Sequence, residues 1–341
     1  MNEMSNKWIG KSTIRPDGAD KVTGRAEYAA DTTMPGMIWG KVLRSPHPHA
    51  IIKSINTNKA ESLDGVHAVA TSKDFVDFPV DTPVILGIQD IRWMARNVLA
   101  KEKVLFHGHP IAAVAAKTEE IAQKACNLIE VEYEVLPWAI EIDDAIKSDA
   151  PILHDFITFD GKPSNIAGTL EHKKGDIEKG FDEADVVIEK NFDTAAIHQG
   201  YLETHACLVS VAPDNKTVIW SSSQGQFMVR AMTSFITGIP QSDIRAIPAE
   251  IGGGFGGKTI VYLEPVATIL SQKSGRPVKM VMTREEVMRA TGPTSASKST
   301  VKIGVTKDGK ITAAKGVFYL QAGAFPGSPI RGAVGCCLAP Y

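Results

Sequence analysis

With 341 residues, the chain has room for about two domains, each large enough to bury a core of its own. Its 37 Lys and Arg stand against 39 Asp and Glu, a net charge of −2, and 43% hydrophobic residues is ordinary for a soluble globular protein, so nothing favours nucleic acid as a partner. Four cysteines (Cys126, Cys207, Cys336 and Cys337) form no CxxC pair and are too few for a disulfide scaffold; they suit a reducing compartment and argue against an iron–sulfur cluster or structural zinc in this chain.

The N-terminal residues have no apolar core of signal-peptide length, and no later run reaches the roughly 18 apolar residues of a membrane span, so the expected location is cytoplasmic with no membrane partner. From Gly10 to about Leu136 short β-like runs dominate, at residues 37–43, 50–55 and 110–115. Thr118 is placed to cap a helix over residues 119–129, which puts Ile121, Ala122, Ala125, Leu128 and Ile129 on one face. An alternating strand over residues 131–135 follows. Residues 137–164 lack sustained periodicity and read as a linker, with the next folded segment starting near Asn165. This divides the chain into a mixed α/β domain with its linker, 1–150, and a second domain, 151–341.

In the second domain, residues 209–220 read as a hairpin around Pro213-Asp214-Asn215. A helix over 224–237 follows, with Ser223 and Gln226 as a capping box. A strand over 243–249 runs into a glycine-rich loop. A helix over 265–274 comes next, with Pro265 at its first position and Gly275 as its stop, then a strand over 278–282. Residues 301–305 and 311–320 form a second hairpin around Lys307-Asp308-Gly309-Lys310.

The loop Gly252-Gly253-Gly254-Phe255-Gly256-Gly257-Lys258-Thr259 is the densest local signal. Glycine there lets backbone N–H groups approach a ligand closely. The run satisfies both the dinucleotide G-x-G-x-x-G pattern and the G-x-x-x-x-G-K-[ST] phosphate loop. Both need a helix to begin inside or just after the loop, whereas Pro265 lies seven residues past Lys258. A nucleotide-binding loop, a plain turn between packed elements and a cofactor loop all remain readings of these residues.

The stretch Ala249 to Lys258, followed by Gly275-Arg276-Pro277-Val278-Lys279 and Thr283-Arg284-Glu285-Glu286, resembles the molybdopterin-binding subunit of the xanthine dehydrogenase and aldehyde oxidase family. Upstream, residues 17–28, Arg44-Ser45-Pro46-His47-Pro48-His49-Ala50 and Gly175-Asp176-Ile177-Glu178-Lys179-Gly180-Phe181 resemble the same family in the same order. The resemblance covers essentially the whole chain. It implies an α+β fold in which an a/b hammerhead domain precedes the first part of a molybdenum-cofactor-binding domain.

The resemblance also implies site residues. Gln224 occupies the position of a family glutamine that donates a hydrogen bond to an oxo ligand of molybdenum, and an uncharged donor suits an oxyanionic centre. Its plain reading is a first-turn residue of a capped helix. Phe255, flanked by Gly254 and Gly256, matches the family loop residue beside the cofactor; its plain reading is a core anchor. Thr259 and Thr294 stand where purine-oxidising relatives place acidic and arginine substrate residues, which implies a less polar or differently charged small molecule. The family's carboxylate base lies beyond residue 341, so no catalytic residue is assigned here, Glu203 and Glu250 included, and no side chain is expected to ligate the metal directly.

The implied activity is hydroxylation of an aldehyde, an aromatic N-heterocycle or a related electron-poor carbon, with water as the oxygen source. Electrons would pass to [2Fe–2S] and FAD subunits. Residues 322–341 are almost uncharged and call for cover, so a second chain completing the site, or a truncated product, is expected, and the chain alone should be inactive. A phosphate-loop protein and a non-catalytic remnant are the rival readings. The pairs His47/His49 and His107/His109 have two-residue spacing but no nearby third ligand. His198 and Glu203 lie in a family-like block where a structural role is as fitting as a catalytic one, and Cys336 and Cys337 read as buried apolar residues.

Overall fold

The computed structural model describes residues 7–79, 85–86, 89–292 and 294–324. A short helix, α1 (Gly18–Thr23), ends at Gly24 in the left-handed conformation. Strands β1 (Ile38–Arg44), β2 (Ala50–Asn56) and β3 (Val66–Thr71) follow, then α2 (Ile91–Val98), β4 (Pro110–Ala116), α3 (Glu119–Cys126) and β5 (Glu130–Val135). The Thr118 side chain accepts from the Ile121 N–H, as the capping pattern requires, but α3 stops at Cys126 and leaves Leu128 and Ile129 in the turn beyond. The linker region carries the four-residue helix Ile142–Ala145 and the small hairpin Thr158–Phe159 with Lys162–Pro163.

Beyond it come α4 (Ile177–Asp182), β6 (Val186–Thr194), β7 (Ala206–Val211), β8 (Thr217–Ser221), α5 (Gln226–Thr237), β9 (Ile244–Pro248), α6 (Glu264–Ser274), β10 (Val278–Val281), α7 (Arg284–Ala290), β11 (Ser297–Val305) and β12 (Ile311–Leu320). The expected capping box of Ser223 and Gln226 does not form. Helix α5 starts at Gln226 with Gly225 as its cap residue. The Ser223 hydroxyl is drawn instead to the Lys258 carbonyl at 3.3 Å, and Gln226 Nε2 donates to the Ser221 carbonyl at 3.1 Å.

Seven strands form the main sheet in the order β9-β8-β7-β10-β1-β4-β3. Its strands come from both sides of residue 150, and the seam is the parallel pairing of β1 with β10, Ile38 opposite Val278. Strand β4 is buried along its whole length, and its alanines let helices pack closely on both faces. Ala113 and Ala115 face the large core that includes α6, whereas Ala112 and Val114 face the smaller core under α3. Helix α6 is buried from Glu264 to Ser271, as expected of a helix apolar on most sides. Two three-stranded sheets complete the fold: β2 with β5 and Lys103–Val104, and β6-β11-β12, whose one face carries α4.

Strands β8 and β9 are parallel neighbours joined by α5. Such a crossover brings the loops that leave the two carboxyl ends to the same edge of the sheet, a common ligand position in α/β folds. The Gln224 loop and the glycine loop are those two segments.

Candidate functional site

Gln224 is exposed and stands ahead of α5, not in its first turn. Its Oε1 accepts the N–H of Gly256 at 2.9 Å and the N–H of Lys258 at 3.2 Å, while its own main-chain N–H donates to the Lys258 carbonyl at 2.9 Å. Two donors on one oxygen fix which way the amide lies. The NH2 group is left without an acceptor among the described residues, on an exposed side chain.

The loop is shaped to this contact. A Cβ on Gly254 would sit 2.5 Å from Gln224 Oε1, so a larger residue there would have to displace the Gln224 amide. Gly256 has φ +88° and Phe255 has φ +49°, the left-handed region that a bulky residue rarely enters. Phe255 is 73% exposed, which rules out the core-anchor reading and leaves an aromatic ring held out beside the Gln224 amide loop. Thr259 donates its hydroxyl to the Gly256 carbonyl at 2.9 Å and so helps close the loop. Thr294, the other pocket candidate, pairs with Ile197, and its hydroxyl donates to the Ile197 carbonyl at 2.7 Å.

Beneath the loop lies a layer of buried polar groups. Lys258 is fully buried and donates to Glu203 Oε2 at 2.6 Å; burial pulls its ammonium below the usual lysine range, and the Glu203 charge opposes that pull. His198 Nδ1 accepts the Gly200 N–H at 3.0 Å, so Nε2 carries the proton and donates to Thr291 Oγ1 at 2.7 Å. The Tyr201 hydroxyl lies 2.7 Å from His205 Nε2 and 3.1 Å from Thr291 Oγ1. Burial pushes His205 down to about 3, with the Lys258 charge acting in the same direction, so the imidazole is neutral. Glu264 is buried with no cation beside it among the described residues; it accepts from the Ser221 hydroxyl and from the Tyr262 N–H, and burial raises its carboxyl.

A phosphate loop has a different geometry. Helix α6 starts at Glu264, beyond the reach of the loop, and Lys258 is turned inward onto Glu203 instead of toward a ligand. The two carboxylates near the loop are likewise engaged: Glu203 by Lys258, and Glu250 by Lys21 at 2.8 Å. Of the paired histidines, His49 Nδ1 bonds the Pro137 carbonyl, and His109 is buried between the Leu105 N–H and the Arg96 carbonyl. Cys336 and Cys337 lie outside the described residues. Among the described residues no group of three or more His, Cys, Asp or Glu side chains is placed to hold a metal ion, and no helix is long and apolar enough to cross a membrane.

A family model described as a molybdopterin cofactor-binding domain matches residues 158–341, and one described as the aldehyde oxidase and xanthine dehydrogenase a/b hammerhead domain matches residues 23–137. The chain belongs to the aldehyde oxidase and xanthine dehydrogenase family. The nicotinate dehydrogenase large molybdopterin subunit of Eubacterium barkeri is 30% identical over 336 residues, 98% of this chain and 76% of that one. A probable xanthine dehydrogenase subunit of Bacillus subtilis is 37% identical over 314 residues, 92% of this chain and 40% of its own length. Quinoline 2-oxidoreductase from Pseudomonas putida 86 superposes with a TM-score of 0.79 at 27% identity, covering 90% of this chain and 39% of that one. The chain thus spans about two fifths of the length of the latter two relatives. The mixed α/β architecture is that of the family's hammerhead domain followed by its molybdopterin cofactor-binding domain.

The residues at the glycine loop fit that cofactor. A neutral NH2 donor on an exposed side chain, a loop that a Cβ at residue 254 would fill, and an exposed aromatic beside them suit a metal centre carrying electronegative oxygen. The structure brings Gln224 and the glycine loop together, as the sequence reading groups them, and adds the Lys258–Glu203 pair, which that reading does not make. Lys258 and Glu203 each stand out in the sequence, the one in the glycine loop and the other in a family-like block, but they lie 55 residues apart and nothing local pairs them.

Proposed function

We propose that this chain carries the molybdenum-cofactor half-site of a molybdenum hydroxylase. Gln224, Gly254, Phe255 and Gly256 would hold the cofactor, and Thr259 and Thr294 would lie toward the substrate side. When bound, the cofactor supplies two-electron oxidation of an electron-poor carbon, with water as the oxygen source. Gln224 binds without exchanging a proton, because a carboxamide does not titrate near neutral pH, and with its oxygen committed to two backbone N–H groups it offers its NH2 as the donor. Phe255 excludes water from the face it covers.

The substrate class is a small aldehyde, aromatic N-heterocycle or related molecule, in keeping with relatives named for nicotinate and quinoline. Electrons leave through [2Fe–2S] and FAD subunits, and the catalytic carboxylate comes from the part of the family's site that residues 1–341 do not include, on a second molybdopterin-domain chain or on a continuation of this one. The site lies in the cytoplasm. We place the division of labour near residue 150, with 1–150 as the hammerhead domain and its linker, and 151–341 as the cofactor domain.

The fixed orientation of the Gln224 amide carries this reading. Gln224→Ala removes one charge-directed hydrogen bond, which predicts a fall in molybdenum content or turnover of about tenfold to a hundredfold. Molybdenum per chain, measured by elemental analysis on the enzyme as purified, checks this. Wild-type content together with wild-type turnover would refute the assignment.

A further inference from the structure

Lys258 and Glu203 have no assigned part in the site, yet every contact that orients Gln224 leads back to them. The Gln224 amide oxygen rests on the N–H groups of residues 256 and 258, and the Gln224 N–H rests on the carbonyl of residue 258. The side chain that anchors this segment to the interior is Lys258, fully buried, with Nζ 5.0 Å from the centre of the Tyr201 ring and 2.6 Å from Glu203 Oε2. The same Glu203 oxygen accepts the Gly252 N–H at 2.8 Å, and the Glu203 N–H donates to the Gly252 carbonyl at 3.2 Å. One carboxylate oxygen therefore ties both ends of the loop. Between those ends Gly253, Phe255 and Gly256 all have positive φ, at +96°, +49° and +88°. Such a conformation persists only where its surroundings over-determine it.

The pair is poorly built for stability alone. Two charges are withdrawn from water, and Glu203 Oε1 is buried with no hydrogen-bond partner among the described residues. A neutral pair of similar volume would often serve the fold as well.

We propose that the buried Lys258–Glu203 ion pair is a positioning device, which holds the glycine loop so that Gln224 presents its amide NH2 outward to the cofactor. The proposal rests on the reading of Gln224 as a cofactor residue. It assigns the motif lysine to the geometry of the loop and not to phosphate.

The test is hydrogen exchange on the full chain, as purified, comparing the wild type with the double variant Lys258→Met/Glu203→Gln. The double variant leaves no charge stranded, and the amide oxygen introduced by Glu203→Gln would keep an acceptor for the Gly252 N–H. The positioning role predicts that the amides of residues 256 and 258 exchange about tenfold faster or more, while the Gly252 amide and the sheet amides of β7 and β10 keep their rates. Unchanged loop rates would overturn the proposal, and so would a uniform rise across loop and sheet, which would make the pair a support of the whole fold. Molybdenum content separates the two readings. Loosened amides with undiminished molybdenum would retain the positioning of the loop but remove its purpose and contradict the proposal as stated. Wild-type loop rates in the double variant, beside molybdenum loss in Gln224→Ala, would overturn the proposal while sparing the site.

Discussion

Gly254 is the loop glycine packed directly against the Gln224 amide. A methyl group there would meet Gln224 Oε1 at 2.5 Å and could be accommodated only by expelling the amide from its two N–H donors. Gly254→Ala should therefore lose molybdenum to about the extent of Gln224→Ala, roughly tenfold or more, with the thermal transition little changed; metal analysis beside calorimetry checks both. Lys258→Met alone strands the Glu203 carboxylate and should cost about 3–5 kcal/mol in denaturant unfolding, well beyond the cost of the neutral double variant. Mg–ATP should give no thermal shift, because Lys258 faces Glu203; a clear ATP-dependent rise would revive the phosphate-loop reading. At this scale the sequence is legible where chemistry is local. A glutamine after three serines and a phenylalanine inside a glycine run mark the proposed site locally, whereas the pairing of Lys258 with Glu203 is made by the fold and is not written in either neighbourhood.

Helix ends show the same division. Thr283 and Glu286 form a complete capping box on α7, and Glu286 also binds Arg44 at 3.1 Å, joining two family-like sequence blocks 242 residues apart. Thr283→Ala should cost about 1 kcal/mol, and Glu286→Ala about 3 kcal/mol or more because the buried Arg44 guanidinium loses its carboxylate; equilibrium denaturation distinguishes them. The Ser223 and Gln226 pair has the same sequence spacing yet forms no box, since Ser223 lies against Lys258 of the neighbouring loop and tertiary contact overrides local capping. Helix α6 matches its sequence signature at both ends, with Pro265 in its first turn and Gly275 at φ +65°. Helix α2 goes unread in the sequence, although Ile91, Met94, Ala95 and Val98 repeat on one face behind Asp90, which caps the Arg92 N–H, because the surrounding β-like runs mask that period.

Across the whole molecule, the seven-stranded sheet joins strands on either side of the linker, three between residues 38 and 116 and four between 206 and 281, and the pairings of β10 with β1 and with β7 are absent from any local pattern. Burial in this frame keeps two histidines neutral. His109 is held down to about 4 and His205 to about 3, both by burial first. The unfolded chain takes up protons below about pH 6.5 while the folded chain does not, so stability is full above that pH. It falls as pH drops and stops falling, for these two groups, below about 4 and 3. Thermal scans should show a lower transition at about pH 5 than at about pH 7, and a flat profile would contradict the buried neutral imidazoles. The central claim is that the glycine loop and Gln224 form half of a molybdenum-cofactor site. Native mass spectrometry with metal analysis, on the tagged chain expressed in a host that makes the cofactor, tests it most directly. The account predicts molybdenum in the same complex as this chain; a folded chain that carries no molybdenum, alone or with any partner, would contradict it.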